Sequence, residues 1–587
     1  MSSDEDLVNL INNYLVNLPD EILIKILDLL TVDHIIDFFL YVPTIRDLLI
    51  RYYYSNEMHF MVVPTKLTYI PKFPWYKRRD FITLHGMEVF RFLQAFPEIV
   101  PKKLLIISGA RGISTVREVL EHDITKQIDE IHITLERCEI SPEDFQYLIS
   151  FSNLTKVHFS GMDLNSILPA LINNSNLSQH PKLEDVVFLR HDINDWSGVQ
   201  FPLGLRSLDL SWNKSTDLDT LTIPPNIEQI YFNEANALNL TFSENKFGEN
   251  LTTLMMTFND LETIILEDLP RGLHTLDLSK NKITSIVGSK WPQDLKILLL
   301  NKNQLNDSAL FNITWPRKLT NLGLSENQIT CIDTLSNLPN TLEILVISVN
   351  PMIWRATTRK FTFPENLINL DISECHLADL KYVEFPVSLK KLILGANGIT
   401  DLLTYRDWTS LFNLDTLDLF ANEITSLNNW IIPSNLRKID LQYNQLLELT
   451  SECPIFQSKY NSNLFELDVE SCRIENIDLD YIPPSLKKVN LRQNRTLPSK
   501  FIFPGIFKQL HHINLCDNDI SSLVFIEDNI KSQLRSLDLA RNQILRGVAS
   551  SGLGFVGINQ FYLDLEANLG KVKNRKFNVN SLHEFVK

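Results

Sequence analysis

The sequence predicts an α/β repeat solenoid. A small helical unit at the amino end should lead into a curved horseshoe with a parallel concave sheet and a mostly non-helical convex side. Three observations lead there. A nine-residue pattern, LxxLxLxxN, recurs in register along most of the 587 residues. A proline stands three residues before the first apolar residue of many copies. Before the repeats begin, the apolar spacing is that of helices rather than strands.

Residues 1–15 are acidic and read as a flexible terminus. They lack a basic stretch followed by an apolar core, so no signal peptide is expected. In residues 16–60, Pro19 suits the first turn of a helix, and Asp20 and Glu21 favour its positive end. Ile22, Leu23, Ile26, Leu27, Leu29 and Leu30 leave only a narrow polar stripe of Glu21, Lys25 and Asp28. A second helix follows "TVD", and "TIRDLLIRYYY" after Pro43 suggests a third. Such a small unit cannot bury apolar faces on nearly every side by itself. Residues 61–103 form a Pro- and aromatic-rich linker ending in a cap candidate, "GMEVFRFLQAF" from Gly86.

Residues 104–587 are repeats, about twenty of them. The clearest are "LRSLDLSWN" at Leu205, "LHTLDLSKN" at Leu273, "LKILLLNKN" at Leu295, "LDTLDLFAN" at Leu414 and "LRSLDLARN" at Leu534. From Leu205 to Leu534 successive starts fall 22 to 28 residues apart, and weaker copies begin near 104, 128, 154 and 183. The pattern resembles the leucine-rich repeat family across roughly four-fifths of the chain. The central LxL reads as a short strand with alternate side chains inward. One turn cannot close a core alone, so neighbours must stack. Asn213, Asn281, Asn303, Asn327, Asn397 and Asn444 stand where the chain leaves the strand, placed to bond backbone groups of adjacent turns. Cys375 and Cys472 take that slot in two repeats, in a structural role. Proline fixes φ and lacks an N–H, which suits an extended segment before the strand, as at Pro202, Pro292, Pro386 and Pro483. Turns this short favour extended or 3₁₀ pieces on the convex side.

The residues flanking the strand leucines should face solvent on the concave side. Asp209, Asp277, Asp371, Asp418, Asp440, Asp468 and Asp538 occupy the middle of LxL. Lys390, Lys391, Arg437, Lys438, Lys487, Lys488 and Arg535 lie alongside and are placed to pair across strands, which favours a surface role over a metal site. Elsewhere the column turns apolar. Ile297, Leu299, Ile344, Val346, Ile368 and Ile393, with Val349, fall on nearby repeats around Gly323. They predict an exposed apolar patch for a protein partner. Trp212, Met255, Phe258, Phe420 and Tyr443 extend it as an aromatic fringe.

Catalytic signatures do not emerge. "GLGFVG" from Gly552 matches GxGxxG, but another repeat strand follows it rather than a helix, so it reads as a loop. No HExxH or CxxC appears, "HH" at His511 and His512 puts its two rings on opposite sides of a strand, and no metal, cofactor or catalytic residue is expected. Lys and Arg total 55 against 71 Asp and Glu, a net charge of −16, which argues against nucleic-acid and anionic-membrane binding. "WYKRRD" at Trp75 and "KVKNRK" at Lys571 read as solvated faces. The N-x-S/T sequons, such as Asn153 and Asn312, carry no weight without an export signal, and an intracellular site, cytoplasmic or nuclear, is expected.

The amino-terminal stretch "LPDEILIKILDLLTVDHIIDFFLYV", residues 18–42, resembles an F-box. The likeness rests on the LP start, the acidic pair, the I-x-x-x-I-L core and the later D-x-x-x-x-x-x-x-V. The family's Cys-basic-x-Trp stretch is replaced by "PTIR" at Pro43. The resemblance implies that residues 16–60 insert into a Skp-family adaptor, which links them to a cullin ubiquitin ligase. Leu18, Pro19, Ile22, Leu23, Ile26 and Leu27 match the contact positions. The expected protein is therefore a non-catalytic substrate receptor whose repeats hold an unidentified protein. The alternatives are a non-degradative F-box scaffold and a plain repeat protein with a helical cap.

Overall fold

The computed structural model describes most of residues 99–542, apart from short internal stretches of which 236–246 is the longest. It also describes Leu18, Pro19, Ile22, Leu23, Lys25 and Leu48, and the strands Glu57–Val62, Leu84–His85, Ala549–Ser550 and Gln560–Tyr562. Ile26, Leu27, the second and third amino-terminal helices apart from Leu48, the cap candidate, "GLGFVG" and both basic stretches lie outside the described residues. The chain forms two compact units, residues 1–261 with 268–275, and residues 262–267 with 276–587.

The first unit opens on strands of five to seven residues and continues with three-residue ones. Glu57–Val62, Lys103–Ser108, Glu130–Glu136, Leu154–Ser160, Asp185–Leu189, Ser207–Asp209, Gln229–Tyr231 and Thr253–Met255 pair in that order, all parallel. Leu84–His85 pairs with the free side of Glu57–Val62, so strand pairing reaches back before Leu104. The expected lack of helix on the outer side does not hold in the earliest repeats, which carry Ile113–Glu121 and Pro142–Leu148. The step from Ile133 to Val157 is 24 residues, no longer than later repeats, so the helix there follows from its own start signal rather than from extra length. Ser141 and Asp144 cap Pro142–Leu148 reciprocally, with Pro142 in its first turn, and Phe145 and Leu148 point into the core. Behind these strands Phe159 stacks on Phe188 at 5.6 Å, and Phe188 on Trp196 at 6.3 Å.

The second unit has the architecture the repeat predicts. From Ile297–Leu299 to Gln560–Tyr562, three-residue strands pair in parallel without a register shift. The central LxL leucine therefore always opposes its counterpart: Leu298, Leu322, Leu345, Leu370, Leu392 and Leu417 run in one row. None of these six is more than 1% exposed. Burying a leucine this fully contributes about 1.5–3 kcal/mol. The opposite side carries short strand pairs such as Thr263–Ile265 with Ser285–Val287 and Phe361–Thr362 with Val383–Glu384. It also carries 3₁₀ turns, including Ile332–Leu335, Leu402–Thr404 and Trp408–Ser410. Asp307–Leu310 is the single α-helix among the described residues of this unit.

The prolines act through their carbonyls, a role the sequence reading missed. The amide of the repeat's first residue donates to the proline oxygen three residues earlier, as in Leu295 N to Pro292 O at 3.3 Å and Leu389 N to Pro386 O at 3.3 Å. The ring thus opens a tight turn rather than an extended run. Where proline is missing another carbonyl serves, as in Leu414 N to Leu411 O at 3.0 Å.

Candidate interaction surface

Counting LxxLxLxxN as positions one to nine, side chains at positions three and five flank the buried fourth residue and face the open side of the sheet. Ile297 and Leu299 hold these positions on one strand and Ile344 and Val346 on another, while Ile393 holds the fifth on a third. All five are half-buried. The strands between them carry Asn321 with Gly323, and Asn369 with Asp371, so the apolar side chains form separate stripes rather than one continuous patch. Ile368 stands at position two, just before Asn369–Asp371, and its carbonyl accepts from Lys390 N at 2.8 Å. Gly323 has a local cause. A Cβ there would lie 2.6 Å from the Asn301 amide nitrogen, and that amide must lie over the glycine for its oxygen to accept from Ser325 N at 2.9 Å.

The aspartates at position five close their own turns. Oδ1 of Asp371 accepts from Ser373 N at 3.0 Å, that of Asp418 from Phe420 N at 2.9 Å, and that of Asp440 from Gln442 N at 3.0 Å. Asn490 and Asn514 do the same for Arg492 and Cys516. This Asx geometry steadies a bend in which position eight is left-handed, including Glu374 at φ 52°, Ala396 at 51° and Tyr443 at 55°. Three of the seven basic residues pair across strands, with other carboxylates: Lys438 with Glu466 at 3.2 Å, Lys488 with Glu466 at 3.7 Å, and Arg437 with Asp415 at 3.8 Å. Burial raises Asp418 and Asp440 and pushes Asp468 to about 6, with neighbouring carboxylates adding to each shift. Among the described residues no group of three or more His, Cys, Asp or Glu is arranged to hold a metal ion.

Behind this face runs the position-nine ladder. Asn397 Oδ1 accepts from Cys375 N and Leu377 N, each at 3.0 Å, and its Nδ2 donates to Ile372 O at 2.9 Å and Leu394 O at 3.0 Å. Asn303, Asn327, Asn350, Asn422, Asn444, Asn494, Asn518 and Asn542 bond in the same manner. The array is a leucine-rich repeat fold. In the cysteine slots the thiol of Cys375 donates to Ile347 O at 3.2 Å and that of Cys472 to Leu441 O at 2.9 Å. Burial pushes both thiols up to about 12. The sequence reading passed over His191, whose ring nitrogens lie 2.6 Å from Met162 O and 3.1 Å from Phe159 O in the same slot. Its place nine residues into "LEDVVFLRH" was the available signal.

Neither a protein-family model nor a curated protein sequence matches the chain. Among solved structures it is similar to YopM from Yersinia enterocolitica, with 22% identity over 70% of this chain and 87% of that one, and a TM-score of 0.43. A leucine-rich repeat protein of Leptospira interrogans gives 21% identity, 67% and 86% coverage and 0.40. An internalin of Listeria monocytogenes gives 21% identity, 57% and 88% coverage and 0.40.

Of the six residues matched to adaptor contacts, four are described. Ile22 N and Leu23 N donate to Pro19 O at 2.9 and 3.1 Å, which closes a helical first turn behind the proline. Pro19 is exposed, Leu18 half-buried, Ile22 43% exposed, and Leu23 buried. The fringe residues do reach solvent: Trp212, Phe258, Phe420 and Tyr443 are each at least 40% exposed. Arg190 stacks over Trp212 at 5.0 Å. No helix among the described residues is long and apolar enough to cross a membrane.

Proposed function

We propose that this protein is the substrate-recognition subunit of a Skp–cullin–F-box ubiquitin ligase. The open face of the leucine-rich repeat sheet holds the protein substrate, and the amino-terminal segment docks on a Skp-family adaptor that brings the cullin. The partner surface is supported by the sheet itself. Its core closes on the inner leucines, yet Ile297, Leu299, Ile344, Val346 and Ile393 remain half-exposed on the other face. Adaptor docking is supported by the residue pattern of 18–42 and by the helical turn behind Pro19 that presents Ile22 outward.

Co-purification tests both halves. The tagged full chain is expected to retain adaptor and cullin. Pro19→Ala combined with Ile22→Asp should lower adaptor recovery about tenfold or more while leaving the main thermal transition within about 1 °C. Recovery of adaptor without cullin would mark a non-degradative scaffold, and recovery of neither would overturn the docking. Val346→Asp should release captured protein but keep the adaptor, since it places an unpaired charge in the apolar stripe.

A further inference from the structure

The carpet of side chains on the open face thins on the repeat that begins at Leu389. Positions seven and eight there are Gly395 and Ala396, and position eight of the next repeat is Ala421. A Cβ on Gly395 would meet Phe420 O at 3.3 Å, Phe420 Cβ at 3.6 Å and Asp418 Oδ1 at 3.7 Å, so the Phe420 backbone passes close beside the glycine. Phe420 and Tyr443 then stand edge to face at 5.3 Å, exposed by 40% and 48%. Ile393 lies between Asp371 and Asp418 in strict register. Parallel strands are about 4.8 Å apart, so the two carboxylates flank the isoleucine across roughly 10 Å. Each ties Oδ1 to its own turn, which leaves Oδ2 for a ligand. Glu374, exposed at position eight of the preceding repeat, adds a third carboxylate beside them, and Lys391 is the cation of the strand that carries Ile393.

We propose that this recess takes an arginine side chain from an extended segment of the protein partner, with the neighbouring residues of that segment lying over Val346 and Leu299. The inference rests on the reading of the open face as a partner surface and names the partner's chemistry. Charge complementarity decides the occupant. The recess holds three carboxylates to one cation, on a chain of net charge −16. The nearby cations Lys438, Lys488 and Arg437 are engaged by Glu466 and Asp415. The apolar stem of an arginine packs on Ile393 and Ala396, and its guanidinium meets both aspartates and the Phe420 face. Lysine lacks the planar fork that serves carboxylate and ring together.

Fluorescence anisotropy on the full chain tests this with a fluorescein-labelled peptide of alternating leucine and arginine. The control carries citrulline, the neutral isostere, in place of arginine. The arginine peptide should bind at least about tenfold more tightly, because the citrulline form loses both charge and cation–π attraction. Asp371→Asn with Asp418→Asn should remove most of that preference. Asparagine keeps the turn-closing oxygen, as Asn490 and Asn514 do at the same position, so the variant remains folded. Phe420→Ser should weaken the arginine peptide and leave the citrulline one unchanged. Equal binding of the two peptides, with both released by Val346→Asp, overturns the arginine recess and leaves the partner surface standing. Absence of binding by either also overturns the recess, while the Val346→Asp co-purification judges the broader surface separately.

Discussion

Asp468 shows how one side chain can serve the fold and strain it together. Its Oδ1 accepts from Glu470 N at 3.1 Å and its Oδ2 from Asn490 Nδ2 at 3.0 Å. Yet burial, with Asp440 and Glu470 close by, raises it to about 6. A carboxyl whose folded pKa lies above its unfolded value favours the fold while protonated. Its contribution is complete below the unfolded value near 3.8 and is lost as pH rises towards 6. Asp468→Asn keeps the oxygen that closes the turn and removes the charge, but its amide nitrogen cannot accept from Asn490 Nδ2. Relative to the native chain, its melting temperature is therefore expected to be higher above pH 6 than below pH 4, as read by thermal melts across pH. A gain equal at all pH values would assign the effect to packing instead. Cysteine in the asparagine slot is the other residue-scale lesson. Its thiol has one proton and a weak acceptor, so Cys375 and Cys472 donate to a carbonyl where Asn397 also accepts strongly from two amides.

At the scale of the repeat, three devices share one bend. The position-five carboxylate or amide holds the amide at position seven, position eight turns left-handed, and the position-nine asparagine ties the turn to its neighbour. The left-handed residue is rarely glycine, and Val349 at φ 56° is β-branched, so the surrounding bonds hold the conformation against its cost. Removing the asparagine should therefore be severe. Asn397→Ala leaves the amides of Cys375 and Leu377 buried without an acceptor, at a cost of about 3 kcal/mol. Asn397→Cys keeps a donor and should cost visibly less. Urea midpoints of the two variants measure this, and equal midpoints would mean that the carbonyl bonds contribute little.

At the scale of the molecule, charge acts on the whole chain. With 71 acidic and 55 basic residues, the folded array concentrates a net −16 that the unfolded chain spreads out. The visible ion pairs are mostly half-exposed or more and individually weak, such as Lys302 with Glu326 at 2.7 Å. Screening of the net repulsion should outweigh their loss. The melting temperature is expected to rise by about 1–3 °C between low salt and roughly 0.3 M sodium chloride. A fall over that range would show that the ion pairs govern stability.

Much of the fold was legible before any coordinates, because a repeat states its own geometry many times. Period-two leucines define the strand, their recurrence defines the stacking, and the asparagine is needed wherever a turn buries its backbone. The purpose of the acidic column was not legible. A bond from Asp418 to Phe420 N depends on a backbone bend that the residue types alone do not display. The carbonyl role of the prolines and the histidine in the ladder were hidden for the same reason. The candidate surface divides in the same way. Alternation by itself determined most of the residues on the open face, but Ile368, counted among them, stands at position two, just before the strand. Only the tertiary structure decided which of them are neighbours. Register alternates the apolar strands with polar ones, sets Ile393 between two aspartates, and brings the Phe420 backbone beside Gly395. Contacts between repeats join residues some twenty positions apart, and no local pattern carries that information.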